Sequence, residues 1–208
     1  MSLSQELHRG IDALGLALPE GAETKLLRYL ALLSKWNRTY NLTAVRDEGE
    51  MVSHHLLDSL VVLPHLGDIE TLADVGSGAG LPGMVLAIAR PDLKVMSIEA
   101  SQKKAAFQQQ AKIELKLDNV SIHCGRTELY KSHVPFASVI SRAFSSLTEL
   151  IRLAGGLACM DGTLLAMKGQ FPEEEIANLP VDWKVAETIR LDVPGLSAER
   201  HLIVLKRI

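Results

Sequence analysis

The segment Asp74-Val-Gly76-Ser-Gly78-Ala-Gly80-Leu-Pro-Gly83 constrains this chain more than any other. It follows a short apolar run, Thr71–Val75, and leads into an apolar stretch that stops by Arg90-Pro91. The run predicts a strand, the glycines a turn, and the stretch after them a helix. Glycines without a Cβ let a ligand come close to the backbone. Pro82 fits a first helical turn, where its missing N–H costs nothing. The same alternation continues. Strands are predicted over 95–99, 120–124, 136–141 and 163–168. Helices open at Ser101 and at Ser146 with Glu149, the second running into Gly155-Gly156. Strands alternating with helices imply an α/β protein, a Rossmann-like, mostly parallel sheet covered on both faces. Two last strand-like runs, 185–193 and 201–206, have no helix between them. They make seven strands in all and predict a closing hairpin with one antiparallel strand at the edge.

The first part of the chain has another period. Leu26, Leu27, Leu30, Leu33 and Tyr40 recur at helical spacing. Asp47, with Glu50 three positions on, resembles a capping box and starts a helix through His55, Asp58 and Val62 to Pro64 and Gly67. The chain is therefore divided into a helical extension, 1–68, packed on a sheet domain, 69–208. The hydrophobic fraction is 47%, which excludes global disorder. Apolar runs such as 60–64 are far shorter than the ~20 residues of a membrane span. Residues 1–9 lack a signal-peptide core, so a cytoplasmic protein is expected. Cys124 and Cys159 suggest neither a disulfide framework nor a metal site, and both are expected as buried thiols.

The glycine loop carries the chemistry. Glu99 ends the second strand, nineteen residues after Gly80, and a carboxylate there can accept from both hydroxyls of a ribose. Gly78, Gly80 and Gly83 also satisfy the dinucleotide fingerprint. Asp74 shifts the balance toward S-adenosylmethionine (SAM), because an acid there favours a cationic ammonium, directly or through water, and disfavours a pyrophosphate. Asp74, Gly78, Gly80 and Glu99 are thus the cofactor candidates read from the residues.

Several further segments carry a resemblance: 35–43 (KWNRTYNLT), 55–60 (HLLDSL), 74–83, 125–128 (GRTE), 141–143 (SRA), 167–169 (MKG) and 199–200 (ER). With these the chain resembles the bacterial small-subunit ribosomal RNA methyltransferase G family, also called glucose-inhibited division protein B, over nearly its whole length. The resemblance implies a class I SAM-dependent methyltransferase that methylates N7 of a guanine in small-subunit (16S) rRNA. It implies cofactor contacts at Gly76, Leu81, Thr127, Glu128 and Arg142, with Arg142 positioned where cofactor and base meet. On the residues alone, Glu128 reads equally as a solvated turn acid and Arg142 as a salt-bridge partner.

The residues agree with that chemistry. Guanine N7 has a free lone pair, so alignment matters more than a base. The chain has neither an Asn/Asp-Pro-Pro-Tyr/Phe motif for an exocyclic amine nor a Pro-Cys nucleophile. An NAD(P)-linked oxidoreductase is the first alternative, without a Tyr-x-x-x-Lys pair to support it. A non-catalytic rRNA-binding assembly factor is the second. Net charge is -3, yet Lys25, Arg28, Lys35 and Arg38 fall near one helix face, either a phosphate-binding stripe or an ordinary solvated face. Lys168 and Arg200, at the carboxyl edge of the sheet, are the other RNA-contact candidates. The partners expected are rRNA or a ribosomal particle, with no membrane, no metal and a monomeric enzyme. His55 with Asp58, three apart on one helix face, reads first as a structural hydrogen bond holding the helix on the sheet and second as an anchor near the mouth of the site, and Trp36 with Tyr40 reads as packing.

Overall fold

The computed structural model describes residues 2–142 and 144–208. Ala143, the end of one of the matching segments, lies outside it. Seven strands form one sheet: β1 (Thr71–Val75), β2 (Lys94–Glu99), β3 (Val120–Cys124), β4 (Phe136–Ser141), β5 (Ala158–Lys168), β6 (Trp183–Arg190) and β7 (His201–Arg207). Their spatial order is β3-β2-β1-β4-β5-β7-β6. The first five pair in parallel, and β7 runs antiparallel to both β5 and β6. The closing hairpin lies at the edge as expected, but its reversed strand, β7, is one place in, a correction to the antiparallel strand expected at the edge itself. A short connection from β6 permits only an antiparallel neighbour, and β7 is the apolar member: Leu202, Ile203 and Leu205 are fully buried. It takes the inner place and leaves the more polar β6 at the edge.

Alternation along the strands divides the core in two. Leu72, Ile140, Leu165, Met167, Leu202 and Val204 join one cluster, and Ala73, Val75, Ile98, Val139, Leu164 and Ile203 the other. The first face carries α5 (Gly83–Ala89), α6 (Gln102–Leu115) and the N-terminal helices, and the second carries α7 (Leu147–Ala154). Residues 1–68 share one continuous apolar cluster with the sheet: Leu7, Leu26 and Leu33 belong with Leu72 and Met84. A short helix that periodicity did not indicate, α8 (Glu173–Ala177), follows β5.

Helices α1 (Leu3–Ala13) and α2 (Ala22–Tyr40) are amphipathic. Ser2 and Gln5 close a full capping box on α1. Asp47 caps α3 (Glu48–Met51) by accepting from Glu50 N–H. This helix passes into a π-helical turn, Val52–Leu57, and a last α-turn, α4 (Asp58–Leu60). The turn buries His55 and Asp58.

Both cysteines depart from expectation. Cys124 is exposed and Cys159 half-buried, because Cys124 ends an edge strand and Cys159 lies near the amino end of β5.

The extension is bonded to the sheet domain at several polar points, and one of them reaches the glycine loop itself. The buried Tyr29 hydroxyl of α2 donates to Ala79 O in the glycine loop at 2.6 Å. Tyr29→Phe leaves that carbonyl unpaired, and a cost of about 1–2 kcal/mol is expected in urea unfolding. An unchanged midpoint would show that the bond is not part of what stabilises the loop.

Candidate functional site

Strand register orders the carboxyl edge of the sheet. Glu99 pairs with Cys124, Asp74 with Ile140, Ser141 with Ala166 and Lys168 with His201. Reading across the edge, one meets Thr127-Glu128, Glu99, the glycine loop, Arg142, Lys168 and Arg200. Residues spread over more than a hundred positions thus lie along one rim, where open α/β sheets bind ligands.

The loop occupies the middle of that rim. Gly76, Gly78 and Gly80 have φ of 64°, 59° and 89°, values that side chains rarely adopt. Their surroundings differ. A Cβ on Gly80 would lie 2.3 Å from Met84 Cγ, whereas one on Gly78 would meet nothing within 4 Å. Gly80 serves packing, and Gly78 opens onto free space. Glu99 sits beside it: Oε2 accepts from Gly78 N–H and Oε1 from Ser101 N–H, both at 2.7 Å. Each carboxylate oxygen keeps a further lone pair for an incoming hydroxyl. Beneath the loop, the wholly buried Ser77, Ser97 and Gln108 bond to one another, and Gln108 Nε2 donates to Gly78 O at 2.8 Å.

Asp74 is fully buried, Oδ2 accepts from Gly83 N–H at 2.7 Å, and Oδ1 has no hydrogen-bond partner. The carboxyl thus lies below the loop, with Oδ1 left over. Its bond also occupies the N–H that a pyrophosphate would seek at the start of α5, which disfavours a dinucleotide. Burial pushes the Asp74 carboxyl up to about 7, against the opposing effects of the Gly83 bond and Arg142.

On the β3 side, Thr127 is buried and Glu128 is partly exposed beside Arg126 at 3.7 Å. Gly76 N–H is used by Ile98 O, and the Leu81 side chain is buried. The Leu81 N–H donates to Ser77 O. On the β4 side a cleft of about 350 Å³ is lined by His54, His55, Asp58, Arg142, Lys168 and Arg200 among others. Asp58 takes Arg142 Nη1 on Oδ2 and Arg200 Nε on Oδ1, each at 2.8 Å. His55 Nε2 is 2.9 Å from Thr43 Oγ1. Burial, and then Arg142, pushes the His55 imidazole down to about 4. Asp58 thus holds its helix to the sheet, as expected, while His55 bonds to the segment that follows α2. A larger hollow, about 470 Å³ with Thr71, Lys94 and Phe136 in its wall, lies at the amino ends of the strands, away from this rim.

The basic candidates separate. Helix α2 is continuous through Arg38, so Lys25, Arg28, Lys35 and Arg38 lie on one helix. Lys35 and Arg38 are exposed, Lys25 is half-buried, and Arg28 Nη2 donates to Glu114 O. Glu175 and the Phe144 and Ser145 carbonyls hold the Lys168 ammonium. Trp36 packs on Phe107, ring centroids 5.7 Å apart, which is the packing role expected. Tyr29, Ser97 and Gln108 were not indicated by sequence pattern, since each looks like an ordinary helix or strand residue until the loop is placed on it. Among the described residues no group of His, Cys, Asp and Glu suits a metal, and no helix is long and apolar enough to cross a membrane.

Residues 22–203 match the family described as rRNA small subunit methyltransferase G. Curated relatives called ribosomal RNA small subunit methyltransferase G include one from Methylobacillus flagellatus, 54% identical, covering 98% of each chain. Another, from Neisseria meningitidis, is 49% identical over the whole of both chains. Among solved structures, the O-methyltransferase TomG from Streptomyces achromogenes, in complex with SAM, superposes with a TM-score of 0.61 at 15% identity. It covers 100% of this chain and 99% of its own. That likeness is one of fold.

Two measurements test this geometry. Gly78→Val fills the open space and strains a positive φ, and Glu99→Ala removes an acceptor. Calorimetric titration with SAM should show no binding for the first and a loss of about 1.5–3 kcal/mol for the second. Parental affinity in both would reject the cradle.

The second concerns pH. Between about pH 4 and 7 the folded chain keeps a proton on Asp74 that the unfolded chain has lost, so this group makes stability fall as pH rises. Between about pH 4 and 6.5 the folded chain keeps His55 neutral while the unfolded chain protonates it, so stability rises with pH. Relative to the parent, Asp74→Asn should gain stability across that window and His55→Gln should lose it. Urea unfolding at several pH values decides, and parallel curves for all three proteins would refute both assignments.

Proposed function

The chain belongs to the rRNA small subunit methyltransferase G family, and on that premise we propose that it transfers the methyl group of SAM to N7 of a guanine in small-subunit (16S) rRNA. The observation that carries the reading is identity of about half the residues with curated rRNA methyltransferases along the full chain. The rim supports it. Gly78 and Glu99 offer an open, acid-edged cradle on the β1–β2 side, and the arginine-lined cleft lies beside it on the β4–β5 side. Gly76, Leu81 and the Thr127-Glu128 turn complete the cofactor side of this proposal, and Arg142 stands at the junction. Asp74 acts from below, by fixing Gly83 and through its unpaired Oδ1.

When bound, SAM supplies an electrophilic methyl group on a sulfonium. The protein's part is placement. Its loop fixes the cofactor side, and its cleft receives the base so that N7, methyl and sulfur align. No side chain has to remove a proton, because the N7 lone pair is already free. Burial pushes the His55 imidazole down to about 4, so near neutrality it is uncharged and a weak base. The basic face of α2 is the outer contact for the RNA strand in this reading. The substrate places the reaction in the bacterial cytoplasm.

The test is transfer of labelled methyl to rRNA, mapped to the nucleotide. N7-methylguanine in the small-subunit rRNA is expected, and label on another base would overturn the reading. Absence of transfer with NADH oxidation instead would favour an oxidoreductase. Single-turnover rates should show no ionisation step between about pH 6 and 8, where a histidine base would titrate. His55→Ala and His123→Ala should keep that flat profile, and a steep acid limb abolished by either change would establish a general base.

A further inference from the structure

The cleft beside the glycine loop contains an unbalanced group of charges. Asp58 is 1% exposed and holds two guanidinium groups, Arg142 from the end of β4 and Arg200 from the approach to β7. Arginine does not give up its charge in proteins, so the three side chains together carry one net positive charge. A pair made only for stability requires one arginine, and the second leaves a surplus. That surplus faces the cleft: the Arg142 and Arg200 side chains are 26% and 22% exposed, and both line it. Lys168, the other cation of the lining, is already neutralised by Glu175 at 2.8 Å.

Both forks are oriented in advance. Arg142 Nη1 also donates to His54 O at 3.1 Å, a carbonyl of the π-helical turn, and Arg200 Nη1 donates to Glu199 O at 2.8 Å. Each guanidinium has five N–H donors, more than these acceptors use. An anion entering the cleft therefore meets donors whose side chains need no further ordering. Strand β7 lies three places from β1 in the sheet, about 14 Å at ordinary strand spacing. Arg200 thus stands on the far side of Arg142 from the cofactor cradle.

Resting on the methyltransferase reading above, we propose that Arg142 and Arg200 clamp one phosphodiester of the RNA strand next to the target nucleotide, with Asp58 as the positioning residue that keeps both guanidinium groups turned to the cleft. The clamp holds the backbone at the point where the base has to enter, while the exposed face of α2 contributes only outer contacts. Asp58 touches neither substrate nor cofactor and acts through the arginines.

The test uses the full-length chain and small-subunit rRNA, with three readouts for the parent, Arg200→Gln and Asp58→Asn: direct rRNA binding against salt, steady-state methyl transfer against rRNA concentration at saturating SAM, and SAM titration without RNA. For Arg200→Gln the half-saturating rRNA concentration should rise about tenfold, the scale of a lost charge-assisted bond. Its log–log salt slope should shrink by about 0.7–0.9, one phosphate contact. Affinity for SAM should stay within about twofold of the parent, well below the tenfold effect of a lost charge-assisted bond. Asp58→Asn should show the same loss of slope, with a lower maximal rate as Arg142 loses its anchor. An unchanged slope in Arg200→Gln, with only its urea midpoint lowered, would overturn the clamp and leave a structural bridge. Weakened SAM binding with an unchanged slope would also overturn it, and assign the anion to the methionine carboxylate. If Asp58→Asn does not fold, Arg200→Gln, at a partly exposed position, decides alone. Failure of the underlying reading looks different: the parent itself would put no methyl on the rRNA.

Discussion

Three glycines at positive φ within five residues make a turn that the backbone does not hold by itself. Glycine pays the largest conformational entropy on folding, so the loop depends on anchors, and its anchors come from every neighbouring element. Tyr29 of α2 holds Ala79 O, Gln108 of α6 holds Gly78 O, and Glu99 of β2 holds Gly78 N–H. Asp74 of β1 holds Gly83 N–H. Most of these groups are buried, where an unpaired polar atom is costly. Displacing any one element therefore breaks a buried bond at the loop. The cradle, the N-terminal helices and the sheet are one mechanical unit for that reason, and the shared apolar cluster fills the space between them.

The rim built on this loop has two halves of opposite character. Toward β2 and β3 it presents carboxylates, Glu99 and Glu128. Toward β4, β5 and β7 it presents guanidinium groups held by Asp58. A cationic cofactor suits the first and an anionic polymer the second. The reversal of β7 matters here. An antiparallel strand brings its amino end to the carboxyl edge of its neighbours, so Arg200, just ahead of β7, arrives at the rim. The π-helical turn has a matching effect from the other side, since it exposes the His54 carbonyl to Arg142 and sinks Asp58 between the two arginines.

Much of this was legible in the residues. Thr71–Val75 and Phe136–Ser141 are strands over the expected positions, and Ser146 with Glu149 caps α7 as its spacing implies. Those signals are local, set by alternation, by side-chain oxygens competing for backbone N–H groups, and by glycine. Helix α8 was not legible because five residues rich in Glu carry no apolar period. Cys124 was misplaced because its burial depends on strand order: it alternates like a core residue but ends an edge strand. The partner of Lys168 was not legible because Glu175, seven residues on, reaches it only once α8 folds back.

By itself the sequence determined that strands and helices alternate, that a glycine turn follows the first strand and an acid, Glu99, ends the second, and which segments carry the family likeness. Each is encoded within a few residues or in a fixed spacing. The tertiary structure alone decided which charges remain available. Asp74 came to lie fully buried against Gly83 N–H, Lys168 was paired with Glu175, and Asp58 gathered two arginines separated from it by more than eighty positions. Coulomb interactions and desolvation act through space and depend on the final depth of each group, and no local pattern of residues specifies that depth.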